Sequence, residues 1–273
     1  EIQAAGGLAA CWQADVADPA QVERLFDRHL ERFGRLDALV TTAAVWDPKP
    51  LEETTDDDVL RQFEVNTLGT FLCCRRGGLI MAGQSGGGAI VTIGDWATAR
   101  PYIGYAAYFI SKGAIPTMTR MLAVELSARN PAVRVNAILP GPVMLPEGLA
   151  PEDRRQVVAA TLLKREGTPE AVAQTALHLV ENNYVTGVCI PVDGGRTIAA
   201  GEVLAWPQWL GIALVLGGIL VGPRRRRAAA GSGLELGPDD VRDERGRLAA
   251  DDSELRVLLE PLPRVGDVEI AHR

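Results

Sequence analysis

The sequence predicts an α/β protein with a doubly wound parallel sheet. Three observations predict it. Short runs rich in apolar residues alternate with longer stretches of helical periodicity over residues 1–199. The run 89–93 (AIVTI) carries no charge, which is the pattern of a strand buried on both faces. Helix-start signals, Asp18-Pro19 and Thr168-Pro169-Glu170, stand just before two of the periodic stretches.

The elements follow in order. Residues 8–13 form a short apolar run read as a strand. Asp18 caps a helix in which Val22, Leu25, Phe26, Leu30 and Phe33 share one face, and Gly34 ends it. Residues 36–43 read as a buried strand, 55–76 as a helix and 89–93 (AIVTI) as a strand. A long helix is expected from about 103 to 129, with Pro116 kinking it or breaking its bonding. A strand over 133–139, a helix from Thr168 carrying Val172, Ala176 and Val180 inward, and a strand over 187–192 complete the alternation. Strands alternating with helices imply a parallel sheet covered on both faces.

Composition narrows the function classes. The 273 residues carry 28 Lys+Arg against 35 Asp+Glu, and this acidic balance argues against a nucleic-acid binder. Cys11, Cys73, Cys74 and Cys189 fit no zinc spacing or disulfide framework, so they read as reduced thiols of a cytoplasmic protein. His29, His178 and His272 are scattered and suggest neither a metal site nor a histidine-based triad. Only Lys49, Lys112 and Lys164 are lysines, which makes the position of each informative.

The texture changes after residue 199. Residues 203–222 hold no charge, Trp206 and Trp209 stand at one end, and Arg224 to Arg227 follow. The length matches a membrane span with interfacial anchors. Pro207 and Gln208 shorten the unbroken apolar part, so a helix packed on the domain or a fused tail stays open beside the membrane reading. Residues 200–227 therefore form an apolar segment with an arginine cluster, and 228–273 a polar tail.

One motif carries chemistry. Tyr108 and Lys112 are spaced i and i+4 on a helix, so phenol and ammonium share a face. A free tyrosine titrates near ~10, too high for efficient proton transfer at neutral pH. A neighbouring ammonium is expected to favour the phenolate and lower that value.

In these surroundings residues 1–199 resemble the short-chain dehydrogenase/reductase family, with its Rossmann-like fold. Asp15-Val16 resembles the family's adenine-contacting acidic position. Thr41-Thr42-Ala43-Ala44 stands where the family has Asn-Asn-Ala-Gly, and Asn66 matches the helix asparagine of a proton relay. Tyr108 and Lys112 match the catalytic pair. Pro140-Gly141-Pro142-Val143 matches the turn beside the nicotinamide, and residues 184–195 match the closing strand and its Asp193-Gly194-Gly195 turn. The resemblance implies an NADPH cofactor, NAD not being excluded, held by Asp15, Val16, Thr42, Ala43, Ala44, Lys112, Pro140, Gly141 and Val143. It also implies a homo-oligomer formed through the helices that carry Asn66 and Tyr108.

Two departures point further. Asp95 stands thirteen residues before Tyr108, where the family has serine, and this resembles the pteridine reductases. Trp46, in the loop 43–51, occupies the place of the aromatic that in those enzymes sandwiches a pterin against the nicotinamide. The implied substrate contacts are Trp46, Asp95 and Tyr108. In the implied mechanism Tyr108 supplies a proton with Asp95 assisting, Lys112 holds the ribose, and Asn66 links Lys112 to solvent. A generic carbonyl or alcohol dehydrogenase, with Asp95 incidental, is the alternative; a non-catalytic, membrane-attached fragment is the third.

The phosphate-binding front of the family is expected to be missing. No GxxxGxG precedes Asp15, whereas the fold normally opens with such a turn at a helix N-terminus. Without that unit the 8–13 strand has no sheet partner, the 36–43 strand becomes an edge, and cofactor binding by the chain as written is expected to be poor.

Overall fold

The computed structural model of the chain describes residues 3–4 and 6–199. The segments 203–222 and 228–273, and the expectations attached to them, lie outside the described residues. Among the described residues, no helix is long and apolar enough to cross a membrane.

Four parallel strands make one sheet in chain order: β1 (Ala38–Thr41), β2 (Gly88–Ile93), β3 (Val133–Pro140) and β4 (Cys189–Val192). The strand period of two sorts the side chains of β3. Val133, Val135 and Ala137 turn to one layer, and Ile138 turns to the other. Helices α1 (Pro19–Phe33), α3 (Thr70–Ala82) and α4 (Ala106–Ser127) cover the first face, and α6 (Pro169–Glu181) the second. The fold class is thus an α/β, Rossmann-like parallel sheet, as expected.

Local chemistry explains the helix ends. The Asp18 carboxylate accepts from the amides of Ala20 and Gln21, and Gly34 closes α1 at φ 78°, a left-handed conformation that suits glycine. Thr168 caps α6 through the Ala171 amide. At the far end of α6, Arg134 donates to the carbonyls of Leu179 and Val180, both at 2.6 Å, so a β3 side chain stops the helix.

Several expectations need correction. Residues 8–13 form no strand. A parallel strand needs a ladder partner, and no described residue pairs with the outer edge of β1. The run lies instead over the end of α1, where Trp12 meets Phe33 edge-on at 6.4 Å. The 55–76 helix is longer and composite: α2 (Asp56–Phe63), a π-helical turn (Glu64–Gly69) and α3 follow without a break. Pro116 does not interrupt α4. Its cost is one missing amide, the donor that would have bonded the Lys112 carbonyl a turn earlier. A further helix, α5 (Pro151–Ala159), has no buried side chain and too weak an apolar pattern to be read from sequence.

Candidate active site

The site forms where β2 and β3 end and α4 begins. Just beyond β2, Asp95 caps the 3₁₀ turn Trp96–Thr98, and one carboxylate oxygen accepts from the Ala97 amide at 2.7 Å. The other oxygen accepts the Tyr108 hydroxyl at 2.9 Å. The same carboxylate therefore serves as a cap and as the partner of the phenol. Tyr108 sits in the first turn of α4, and Lys112 one turn on donates to the Ile93 carbonyl at 2.9 Å.

Burial sets the electrostatics. Loss of solvent pushes the Asp95 carboxyl above its ordinary range, and its hydrogen bonds and Lys112 oppose that only in part. Burial and the facing Asp95 also push Tyr108 well above the usual phenol range. This corrects the expectation that Lys112 lowers Tyr108: a carboxylate that accepts the hydroxyl favours the neutral phenol. Lys112, only 4% exposed, is itself pulled down to about 8 by burial.

Asn66 lies in the π-helical turn and is fully buried. Its amide accepts from Val45 N at 2.8 Å and donates to Val45 O and to Ser111 Oγ, both at 2.9 Å. Ser111 Oγ in turn donates to the Tyr108 carbonyl at 2.7 Å, and Thr67 Oγ1 donates to the Ser111 carbonyl at 2.7 Å. Asn66 thus ties the loop after β1 to the backbone of Tyr108, and its contacts run to Val45 and Ser111 rather than to Lys112. Ser111 was not singled out from the sequence. Its signal is a serine three residues after Tyr108, on the helical turn that also carries Lys112.

The loop after β1 is pinned at alternate residues. Val45 bonds Asn66, Asp47 pairs with Arg61 at 2.7 Å, and Lys49 pairs with Asp58 at 2.6 Å. Between the first two stands Trp46, stacked on Tyr105 at 5.4 Å and 11°. Trp46, Asp95, Tyr108, Gly141 and Val143 line one cleft of about 330 Å³, together with Trp96, Tyr102, Met144 and Arg196. Gly141 is required there: a Cβ would fall 2.4 Å from the Asp193 Cα, so the two turns touch backbone to backbone.

The structure does not bring the other expected cofactor residues into this cleft. Asp15 is exposed and its carboxylate accepts from the Ala17 amide in a local turn. Val16 packs against Gly69, while Thr42, Ala43 and Ala44 are exposed beyond β1. Thr41 Oγ1 is buried without a hydrogen-bond partner. Among the described residues, no group of three or more His, Cys, Asp and Glu side chains could hold a metal ion.

Comparison with known proteins gives a consistent picture. A family model described as enoyl-(acyl carrier protein) reductase matches residues 1–197. A short-chain type dehydrogenase/reductase of Picea abies is 36% identical over 198 residues, covering 70% of this chain and 72% of that protein. An NADPH-dependent aldehyde reductase-like protein, chloroplastic, of Arabidopsis thaliana is 33% identical over 203 residues, covering 71% and 74%. The solved structure of ElxO with NADP bound is 28% identical, with a TM-score of 0.62, and covers 68% of this chain and 77% of that one.

Proposed function

This chain belongs to the short-chain dehydrogenase/reductase family, and we propose that it is an NADP(H)-dependent oxidoreductase that reduces a C=N bond of a pterin-like ring. The observation that carries this reading is the 2.9 Å bond between Asp95 and Tyr108, inside a cleft walled by Trp46. An acid hydrogen-bonded to a second acid suits a flat ring whose nitrogen must receive a proton. The half-open face of Trp46 suits stacking of that ring.

The residues present fit the nicotinamide end of such a cofactor. Lys112 is buried and makes one bond, to Ile93 O; an ammonium has two further donors, which ribose hydroxyls would accept. In this reading Pro140, Gly141 and Val143 flank the nicotinamide, and Asp15, Val16, Thr42, Ala43 and Ala44 border the rest of the cofactor. The preference for NADP(H) over NAD draws on the NADPH-dependent relative and the NADP-bound structure. A bound NADPH would supply the hydride that reduces the C=N carbon. Tyr108 then gives its phenolic proton to the nitrogen, and Asp95, held protonated further up the pH scale by burial, returns a proton to Tyr108. Lys112 orients the ribose, and Asn66 and Ser111 fix the turn on which Tyr108 stands. A homo-oligomer is part of the same reading: Phe63, Leu68 and Met121, on the helices that carry Asn66 and Tyr108, border one exposed apolar groove. A cytoplasmic location belongs to the same reading, supported by the free thiols of Cys11, Cys73, Cys74 and Cys189.

A second reading, reduction of a carbonyl or oxidation of an alcohol, is favoured by the aldehyde reductase-like relative and by the capping bond from Ala97 to Asp95. One experiment separates the two. Asp95→Ser should lower kcat/KM for a dihydropterin by about tenfold or more while a simple ketone is affected less. Equal effects on both substrates would overturn the pterin assignment. Titration with NADPH and NADH, read by nucleotide fluorescence, tests the cofactor.

A further inference from the structure

We infer that Arg196 selects substrates that carry a carboxylate, the guanidinium taking that group while the ring lies against Trp46 near Tyr108. The inference rests on the reading of this cleft as the substrate site, and it names a property that reading leaves open.

Arg196 lines the same cleft as Trp46, Asp95 and Tyr108. Its guanidinium carbon lies over the Trp96 ring, 5.2 Å from the centroid, a contact that holds the head without neutralising its charge. Among the described residues no carboxylate lies within ion-pair distance of it. Asp95, a carboxylate that lines the same cleft, is already engaged by Tyr108 and Ala97. The other arginine at hand, Arg100, repels it rather than compensating it, and directs its own NH1 to the carbonyls of Arg196 and Ala199.

The backbone under Arg196 is built rigidly. The Asp193 carboxylate accepts from Gly195 N at 2.9 Å and from Thr197 N at 2.6 Å, and Gly194 and Gly195 both take positive φ. A partly buried cation on a rigid turn, facing a cleft, without an anion among the described residues, is a preorganised half of a fork-to-carboxylate pair. Tyr102 connects the two ends of the cleft, since its phenol feels both Asp95 and Arg196. The acid-handling end and the cationic end are therefore two poles of one site.

The test uses matched probes on the full chain, by isothermal calorimetry and, where turnover occurs, by initial rate with NADPH. The pairs are pterin-6-carboxylate against pterin, and 4-formylbenzoate against 4-formylbenzamide. The carboxylate of at least one pair should be favoured about tenfold to a hundredfold, the range of a charge-assisted hydrogen bond. Arg196→Gln should collapse that ratio to within about twofold, and Arg196→Lys should retain part of it, because a point charge remains. A purely structural role through Trp96 would weaken both members of a pair equally and leave the ratio intact. A ratio near one in the unaltered protein, a ratio that survives Arg196→Gln, or no binding of either carboxylate overturns the inference. A ratio seen only with the benzoate pair supports the inference and counts against the pterin reading.

Discussion

Asn66 anchors the short loop that carries Trp46, and the two side chains could hardly be held more differently. Asn66 is fully buried, and it bonds both backbone groups of Val45 as well as Ser111. Trp46 is 47% exposed and rests one face on Tyr105. The corner around Tyr108 is built from paired polar groups inside the core. The rim is built from aromatic rings that meet water: Trp46 on Tyr105, and Tyr102 edge-on to Tyr105. In the proposed function the contrast separates two tasks. Proton transfer needs atoms fixed to fractions of an ångström, and burial provides that. Substrate choice needs a surface that can differ without disturbing the corner.

The largest effect should come from the corner. Tyr108→Phe removes one oxygen and leaves the ring packed, so turnover should fall by about 10² to 10⁴ with cofactor affinity retained. Single-turnover rates together with a nucleotide titration check both halves. Near-normal turnover would remove Tyr108 from the chemistry.

Next comes Asn66→Ala, which strands the amide and carbonyl of Val45 and frees Ser111. Losing this buried set should cost about 2 to 4 kcal/mol, read as a lower urea midpoint. Because the same bonds hold the loop that carries Trp46, KM should rise along with the fall in kcat. A fall in stability with kinetics unchanged would show that the corner and the rim are uncoupled.

How much of this was legible in the sequence divides along the same line. Tyr108 and Lys112 could be read because the helical period alone puts them on one face. Asp95 could be placed by its distance from Tyr108, but not its double duty, since one oxygen serves a cap that only the turn after β2 creates. The direction of the Tyr108 shift was misread because spacing shows a lysine four residues away and does not show burial. Ser111 stayed hidden because its partner is 45 residues distant in the chain. The 8–13 run has the local hydrophobicity of a strand, but a strand is a property of two segments. Arg196 belongs to the same class: its neighbour Trp96 is a hundred residues away in sequence and comes near only once β2 and β4 stand in one sheet.

A smaller effect concerns pH. If protonated Asp95 resupplies Tyr108, reduction should slow as pH rises through the raised Asp95 value, because the acid form is the working form. Lys112 adds its own decline near 8, where it gives up its proton. The limiting slope is about tenfold per pH unit for each group. Asp95→Asn should delete the Asp95 decline and move the Lys112 decline to lower pH, because the Asp95 charge that holds Lys112 up is gone. A profile unaltered in that variant would assign the titration elsewhere.

The smallest effect should be found on the rim, and it tests the contrast from the other side. Ile103 is 95% exposed, whereas Ile115, on α4 and one turn beyond Lys112, is fully buried in the first core layer. Hydrophobic side chains contribute to stability through area removed from water, and Ile103 removes almost none. Ile103→Ser should therefore change stability by no more than about 0.5 kcal/mol, while Ile115→Ala should cost about 2 to 5 kcal/mol through lost burial and the cavity left behind. Both can be read from urea midpoints on the same day and buffer. If Ile103→Ser proved as costly as Ile115→Ala, the rim would be covered in solution by something that buries it. The division between a buried, fixed corner and an exposed, replaceable rim would then have to be redrawn.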